Sequence, residues 1–262
     1  MTTIATQQHW INAPEGRLFA QSWTPSGSEA RAPIVMLHES LGSVALWRDF
    51  PAQLAQATGR RVVAYDRLGF GQSDARDGLP DLDFVAQEAV RYFPAVREQL
   101  QLASYVLLGH SVGGGMAAEI AARAGSECRA VITIAAQALV ESHTLAGIRE
   151  ARARFQESEQ LARLAKYHGD KARWVVDAWT ETWLSPAFAN WSLDSTLPRL
   201  SSPLLALHGE LDEYGSAAQP ARITRLAGGG GHCEILPGAR HMPHREMPEQ
   251  VLLHIAQFLK NI

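Results

Sequence analysis

A serine flanked by glycines stands between two apolar segments near the middle of the chain. The pentapeptide Gly109-His110-Ser111-Val112-Gly113 has the pattern G-x-S-x-G. A serine hydroxyl is a weak nucleophile near neutral pH, so it needs a neighbouring base, and that base needs a group that orients it. The pentapeptide alone is a weak signal because small residues fill many turns. It becomes informative when it follows a buried strand and opens a helix.

The segments around Ser111 meet that condition. The run "YVLL", Tyr105 to Leu108, is typical of a strand covered on both faces, and "VGGGMAAEIAARA" after the serine is typical of a helix. Similar apolar runs predict five more strands: "PIVMLH", "RVVAYD", "AVITIAA", "PLLALH" and "CEIL". The segment "HWINAPEGRLFAQSW" predicts a hairpin that turns at Glu15-Gly16. Strands that alternate with helices imply a parallel sheet with right-handed crossovers.

Two more of the segments between the predicted strands have a helical pattern. One carries an apolar stripe with steps of three and four residues: Leu82, Ala86, Ala89, Phe93, Val96 and Leu100. Pro94 is predicted to kink this helix. The other runs from about Leu139 to Leu200 without any strand pattern, which predicts a helical insertion. The predicted organisation is a core of residues 1–138 and 201–262 with a helical cap at 139–200.

Residues that could assist the serine follow the last two predicted strands. "GELDEYGS" offers three carboxylates, Glu210, Asp212 and Glu213, and "LPGARHMPHREMP" offers His241 and His244. The spacing of the two histidines would also suit a metal pair, but no third ligand lies nearby.

Four motifs in order resemble those of α/β hydrolases of the serine carboxylesterase and lactonase type, and the resemblance covers nearly the whole chain. They are the Ser111 pentapeptide, the turn "YDRLGFGQSD", the G-x-x-D sequence that ends at Asp212, and the terminal loop "GARHMPHREMP". The resemblance implies an α/β fold: a mostly parallel twisted sheet flanked by helices, with a helical cap insertion.

The same resemblance assigns a catalytic triad. It implies Ser111 as nucleophile, Asp212 as the acid because of the G-x-x-D pattern, and His241 as the base. His241 is favoured because Glu246 and Pro248 follow it at the family's spacing. Some relatives carry the acid one strand earlier, but that strand ends here in "AAQ", without a carboxylate.

The resemblance also implies an oxyanion hole made of two backbone N–H groups, from Val112 and Ser40. The turn that holds Asp66, Arg67 and Ser73 is interpreted as a structural hydrogen-bonded turn.

Two features depart from the family's pattern or lie outside it. Glu39 replaces the usual glycine beside the oxyanion loop. Its carboxylate is either salt-bridged or solvated, or it lies near the pocket mouth and selects against acidic substrates. The predicted cap holds four tryptophans: Trp174, Trp179, Trp183 and Trp191. They are expected to bury the cap on the core, with Trp179 and Trp183 as candidates for binding substrate.

The composition limits the other functions. The chain has 262 residues, a net charge of −3, and no basic-then-apolar N-terminal segment or long apolar run. These features argue against a nucleic-acid surface, a signal peptide and a membrane span, and they make a cytoplasmic protein the expectation. Cys128 and Cys233 show neither disulfide nor zinc spacing and are interpreted as buried thiols.

The sequence therefore favours hydrolysis of a carboxylic ester or lactone of a small, aryl or apolar molecule through an acyl-enzyme, without a cofactor. Hydrolysis of a C–C bond in a ring-cleavage product would use the same triad, but relatives of that type often have Asn where this chain has His110. An acyltransferase or thioesterase, or a ligand receptor with little turnover, is also compatible. A serine nucleophile argues against a dehalogenase or an epoxide hydrolase. The oligomeric state is left open.

Overall fold

A computed structural model describes residues 3–28 and 30–262, and within them eight strands form a single sheet. The strands are β1 Ile4–Ala13, β2 Gly16–Pro25, β3 Ile34–Leu37, β4 Val62–Tyr65, β5 Tyr105–His110, β6 Cys128–Ile134, β7 Leu204–Gly209 and β8 Gly231–Leu236. Their order across the sheet is β1-β2-β4-β3-β5-β6-β7-β8. The pairs β1–β2 and β2–β4 are antiparallel, and the other pairs are parallel. The predicted fold class, a mostly parallel sheet with helices, is confirmed.

Helices cover both faces of this sheet. They are α1 Phe50–Thr58, α2 Phe84–Gln87, α3 Phe93–Gln99, α4 Val112–Ala124, α5 Ser142–Arg154, α6 Ser158–His168, α7 Ala172–Trp183, α8 Ala218–Leu226, α9 Pro243–Glu246 and α10 Pro248–Phe258. Side chains alternate between two cores along each central strand: Val106 and Leu108 pack with α1 and α10, whereas Tyr105 and Leu107 pack with α3 and α4. Because both faces are covered, the central strands are mostly apolar and do not alternate between apolar and polar residues.

Three local predictions need correction or refinement. The disruption predicted at Pro94 is a π-helical segment, Glu88–Tyr92, placed just before it. Proline lacks the N–H that would continue the regular ladder, and a π-turn accommodates that loss. Leu82 was wrongly included in the helix stripe: it lies in the turn before α2 and is exposed. Cys128 is buried as predicted, but Cys233 is only half-buried.

The chain between β6 and β7 contains α5, α6 and α7. An isolated bridge between Leu139 and Ser192 joins the two ends of this segment. Among the described residues, none of the helices combines the length and apolar character needed to cross a bilayer.

Candidate active site

Ser111 occupies a strained turn between β5 and α4. Its φ of 54° and ψ of −126° lie in a region that residues with a side chain rarely adopt. Glycines on either side make this turn possible, because a Cβ on Gly109 would lie 2.1 Å from the carbonyl oxygen of Gly113, and one on Gly113 would lie 2.2 Å from that of Leu37. The sharp turn places the serine at the carboxyl edge of the sheet, at the start of a helix.

His241 and Asp212 form a buried pair on the loops after β8 and β7. The Nδ1 atom of His241 is 2.9 Å from each carboxylate oxygen of Asp212, whose side chain is fully buried. The backbone N–H of Tyr214 also donates to Asp212 Oδ1 at 2.8 Å. Since a carboxylate can only accept, Nδ1 carries the proton and Nε2 keeps a free lone pair. His241 is therefore held in the tautomer that a general base requires.

The pKa values of the two groups move as expected for such a pair. Burial alone would raise the pKa of Asp212, but the hydrogen bond from His241 and the charge of its ring hold that pKa below its usual range. Burial opposes the charged ring of His241, yet the hydrogen bond to Asp212 and the carboxylate charge raise its pKa above the ordinary 6.5.

The rival side chains lie elsewhere. Glu210 accepts from the backbone N–H of Gly238, and Glu213 accepts from the backbone N–H of His241 at 3.3 Å. His244 is buried against the rings of Trp47, Phe50 and His110. Among the described residues, no group of three histidine, cysteine or carboxylate side chains could hold a metal ion. The structure thus brings the carboxylate of Asp212, and not that of Glu210 or Glu213, into hydrogen-bond contact with the His241 ring.

The hydroxyl of Ser111 does not donate to His241 in this structure. It donates instead to Oε1 of Gln137 at 3.2 Å. Gln137 follows β6, the strand next to β5, so its side chain starts from the same edge of the sheet. In the sequence, the only feature of this position that bears on catalysis is that it lacks a carboxylate. Because β5 and β6 are neighbours in the sheet, the residues after them lie close together, and this neighbourhood could have identified Gln137 as a partner of Ser111.

The loop that carries Ser40 is fixed by hydrogen bonds to the carbonyl oxygen of Glu39. That oxygen accepts from His38 Nδ1 at 2.7 Å and from the guanidinium of Arg67 at 3.1 Å. In a trans peptide the C=O and the following N–H point in opposite directions. The N–H of Ser40 therefore points away from His38 and Arg67, and Ser40 itself lines the cavity that contains Ser111. This arrangement suits the oxyanion role predicted for Ser40.

Two neutral histidines tie this loop to the rest of the molecule. The N–H of Arg67 donates to His38 Nε2 at 3.1 Å, so the proton on that ring lies on Nδ1. The N–H of Gly71 donates to His168 Nδ1 at 2.9 Å, so Nε2 of His168 donates to the carbonyl oxygen of Leu41 at 2.9 Å. Burial lowers the pKa of His38 well below 6.5 and, with the charges of Lys171 and Arg67, that of His168 to about 4. Since His168 ends α6, the second link runs from α6 to the loop that carries Ser40.

The turn with Asp66, Arg67 and Ser73 supports the same loop. Asp66 accepts from the backbone N–H groups of Val44 at 2.6 Å and Gln72 at 2.7 Å. Ser73 donates to the carbonyl oxygen of Asp66 and accepts from the N–H of Phe19. None of the three lines the cavity around Ser111.

A cavity of about 220 Å³ opens above Ser111. Its lining includes residues from the core and from the insertion: Glu39, Ser40, Leu41, Ser111, Gln137, Thr144, Ile148, Trp179, Trp183, Glu213, Tyr214, His241 and Met242. Trp179 and Trp183 thus lie in the wall. Trp174 packs against Phe70 instead, and Trp191 stacks on Phe188.

Glu39 is also part of this wall. Its Oε2 is buried without a hydrogen-bond partner, and within the described part of the chain Glu39 makes no ion pair. Burial raises the pKa of Glu39 to about 7, against the opposing charges of Arg67, His241 and Arg245. This carboxyl therefore loses its proton at a higher pH than an exposed glutamate does.

Residues 32–248 match the family model described as the alpha/beta hydrolase fold, and the chain belongs to that family. A proline iminopeptidase of Lactobacillus delbrueckii subsp. lactis is 40% identical over 87 residues, 33% of this chain and only 30% of that protein's length. Among solved structures, the 2-hydroxy-6-oxo-6-phenylhexa-2,4-dienoate hydrolase of Rhodococcus sp. strain RHA1 superposes with a TM-score of 0.79 at 16% identity, covering 98% of this chain and 100% of the other. Carboxylesterase CesB of Bacillus subtilis gives 0.73 at 20% identity, with coverage of 97% and 92%. At these identities the structural likeness shows the fold alone.

Proposed function

We propose that this chain is a serine hydrolase that cleaves a carboxylic ester or lactone of a small, aryl or apolar molecule through an acyl-enzyme. The observation that carries the proposal is the pair formed by His241 and Asp212, with Nδ1 2.9 Å from both carboxylate oxygens. His241 lines the same cavity as Ser111. Nucleophile, base and orienting acid are the three parts that this chemistry needs.

In the proposed mechanism the substrate enters the cavity and its carbonyl carbon approaches Ser111 Oγ. The hydroxyl turns from Gln137 to His241, and Nε2 takes its proton as Oγ attacks. The N–H groups of Ser40 and Val112 stabilise the oxyanion, and the imidazolium then gives its proton to the leaving alcohol. Water activated by His241 attacks the acyl-enzyme and releases the acid.

The cavity wall supports an apolar substrate without a carboxylate. Leu41, Ile148, Trp179 and Trp183 offer aliphatic and aromatic contacts, and the carboxylate of Glu39 would repel a substrate anion. At about 4 Å, two like charges repel by roughly 1 kcal/mol in water and by about 4 kcal/mol at an effective dielectric near 20. Neutral or cationic aryl esters are therefore proposed to react faster than carboxylate-bearing ones.

A kinetic panel tests the reaction class. It compares matched aryl esters, alkyl esters, lactones, thioesters, a ring-cleavage diketone and an aminoacyl amide, with Ser111→Ala as the control. The proposal requires ester or lactone turnover that Ser111→Ala abolishes. Faster turnover of the diketone would identify C–C bond hydrolysis as the activity, and faster turnover of the amide would identify peptide-bond hydrolysis. Ligand binding without turnover of any of these compounds would indicate a receptor.

A further inference from the structure

A second strained turn, at the end of β6, positions Gln137 beside Ser111. Ala135, directly after β6, has a φ of 50°, the left-handed region that a residue with a Cβ rarely adopts. Its N–H still donates to the carbonyl oxygen of Leu207 at 2.8 Å, so the sheet ladder continues up to the turn. Neighbouring strands β5 and β6 thus both end in unfavourable backbone conformations, and the side chains that follow meet at 3.2 Å.

The backbone after Gln137 is clamped from the other side by Gln219. This α8 residue is fully buried, and its Oε1 accepts from the N–H groups of Ala138 at 2.6 Å and Leu139 at 3.2 Å. Its Nε2 donates to the carbonyl oxygen of Leu139 at 3.1 Å. Gln137 is therefore held between the strained Ala135 and a loop whose amides are satisfied by a buried side chain. Such support is what fixes a side chain in one functional position.

The contact has a chemical consequence because a serine hydroxyl has a single proton to donate. While that proton is given to Gln137 Oε1, it cannot be given to Nε2 of His241. The two acceptors compete, and the hydrogen bond to Gln137 stabilises a form of the free protein in which Ser111 is not activated.

We propose that Gln137 is a positioning residue that holds Ser111 in a resting state, and that a substrate filling the cavity displaces this hydrogen bond. This inference rests on the proposed role of Ser111 as nucleophile. If the hydrogen bond between Ser111 and Gln137 breaks when the substrate binds, it stabilises only the free protein. It therefore weakens substrate binding but does not change the barrier of the later chemical step. Gln137 therefore raises KM and leaves kcat alone.

Two substitutions remove the contact in different ways. Gln137→Met keeps the length of the side chain without an oxygen, and Gln137→Asn keeps the amide but is one methylene too short. A net hydrogen bond corresponds to about a 2- to 10-fold change in an equilibrium. In both variants we expect KM for an aryl ester to fall about 2- to 10-fold at unchanged kcat. Labelling of Ser111 by a small fluorophosphonate should quicken by a similar factor.

The two variants together separate this role from simpler ones. A greater affinity for apolar ligands would lower KM in Gln137→Met but not in Gln137→Asn, and that result would overturn the proposal. A purely structural role would lower kcat and slow labelling in both, with a lower melting temperature, and would also overturn it. Absence of labelling in the wild-type protein would instead refute the proposed nucleophile, which Ser111→Ala checks separately.

Discussion

The cavity has a core wall and a cap wall, and different interactions hold them. The core wall includes four polar groups on loops at the carboxyl edge of the sheet: Ser40, Ser111, Gln137 and His241. Strained backbone and short hydrogen bonds fix these groups, as at Ser111 and Ala135. The cap wall includes three large apolar side chains on α5 and α7: Ile148, Trp179 and Trp183. These are held by packing, such as the edge-on contact between Trp183 and Trp191.

The difference indicates that the two walls have different functions. Directional bonds on rigid strand ends determine where the reacting atoms lie, and packing of large rings determines which molecules fit. Substitutions of the proposed reacting groups of the core wall, Ser111 and His241, should therefore act mainly on kcat, and substitutions in the cap wall mainly on KM.

The largest expected effect is at the core wall. Ser111→Ala and His241→Ala should each lower kcat/KM by roughly 10⁴-fold or more, because the nucleophile and its base act as a unit. The double variant should be little worse than either single one. Steady-state kinetics on an aryl ester measures this, and full activity in His241→Ala would refute the assignment of the base.

Asp212→Asn should be less severe and should also change the pH profile. The Asp212 carboxylate raises the pKa of His241. Since only the neutral imidazole accepts the serine proton, kcat/KM rises on a limb at that pKa, and the limb should move to lower pH in Asp212→Asn. An unmoved limb would point to Glu210 or Glu213 as the acid.

The next effect concerns His168, which links the end of α6 to the loop that carries Ser40. The folded protein keeps His168 neutral down to about pH 4, whereas the unfolded chain binds a proton below about 6.5. The contribution of His168 to stability is therefore present above pH 6.5 and is lost as the pH falls towards 4. From pH 7 to pH 5 this loss is about 2 kcal/mol.

Denaturant unfolding at the two pH values measures this loss. In His168→Gln the fall in the free energy of unfolding should be smaller by about 2 kcal/mol. An equal fall in wild type and His168→Gln would show that His168 is not held neutral.

A cap-wall substitution should affect substrate binding more than chemistry. Trp179 packs edge-on against Tyr214, which in turn contacts the ring of His241. Trp179→Leu should raise KM for an aryl ester about 10-fold, with a smaller change in kcat, because a ring contact is lost. Trp174 lies on the same helix but outside the cavity, so Trp174→Leu is the control, and its KM should stay near that of the wild type. If Trp179→Leu changes mainly kcat, the proposal that the cap wall acts on substrate binding is wrong.

The smallest expected effect is the selection made by Glu39. Repulsion of about 1 kcal/mol corresponds to roughly a fivefold preference in kcat/KM for a neutral ester over its carboxylate-bearing analogue. Because the pKa of Glu39 is about 7, the preference should grow as the pH rises through 7. Glu39→Gln should remove that growth. A ratio that is unchanged by the substitution at pH 8 would show that Glu39 does not act on the substrate.

The same contrast between walls explains what the sequence could and could not predict. The strands and the Ser111 turn were predictable because apolar runs and glycines at fixed spacing are local signals. The contact between Asp212 and His241 followed from motif order, and the structure now gives its geometry. Gln137 was missed because its role depends on which strands are neighbours in the sheet. The positions of Trp174 and Trp191 outside the cavity could not be foreseen, because helix packing angles in an insertion are not encoded by a short motif.

The central claim is that Ser111 is the nucleophile of an acyl-enzyme. The most direct test is intact-protein and peptide mass spectrometry after acid quenching during turnover of an aryl acetate. The account predicts one acetyl group on the peptide that contains Ser111, and neither that adduct nor turnover in Ser111→Ala. Stoichiometric acetyl on another residue, or undiminished turnover in Ser111→Ala, would contradict it.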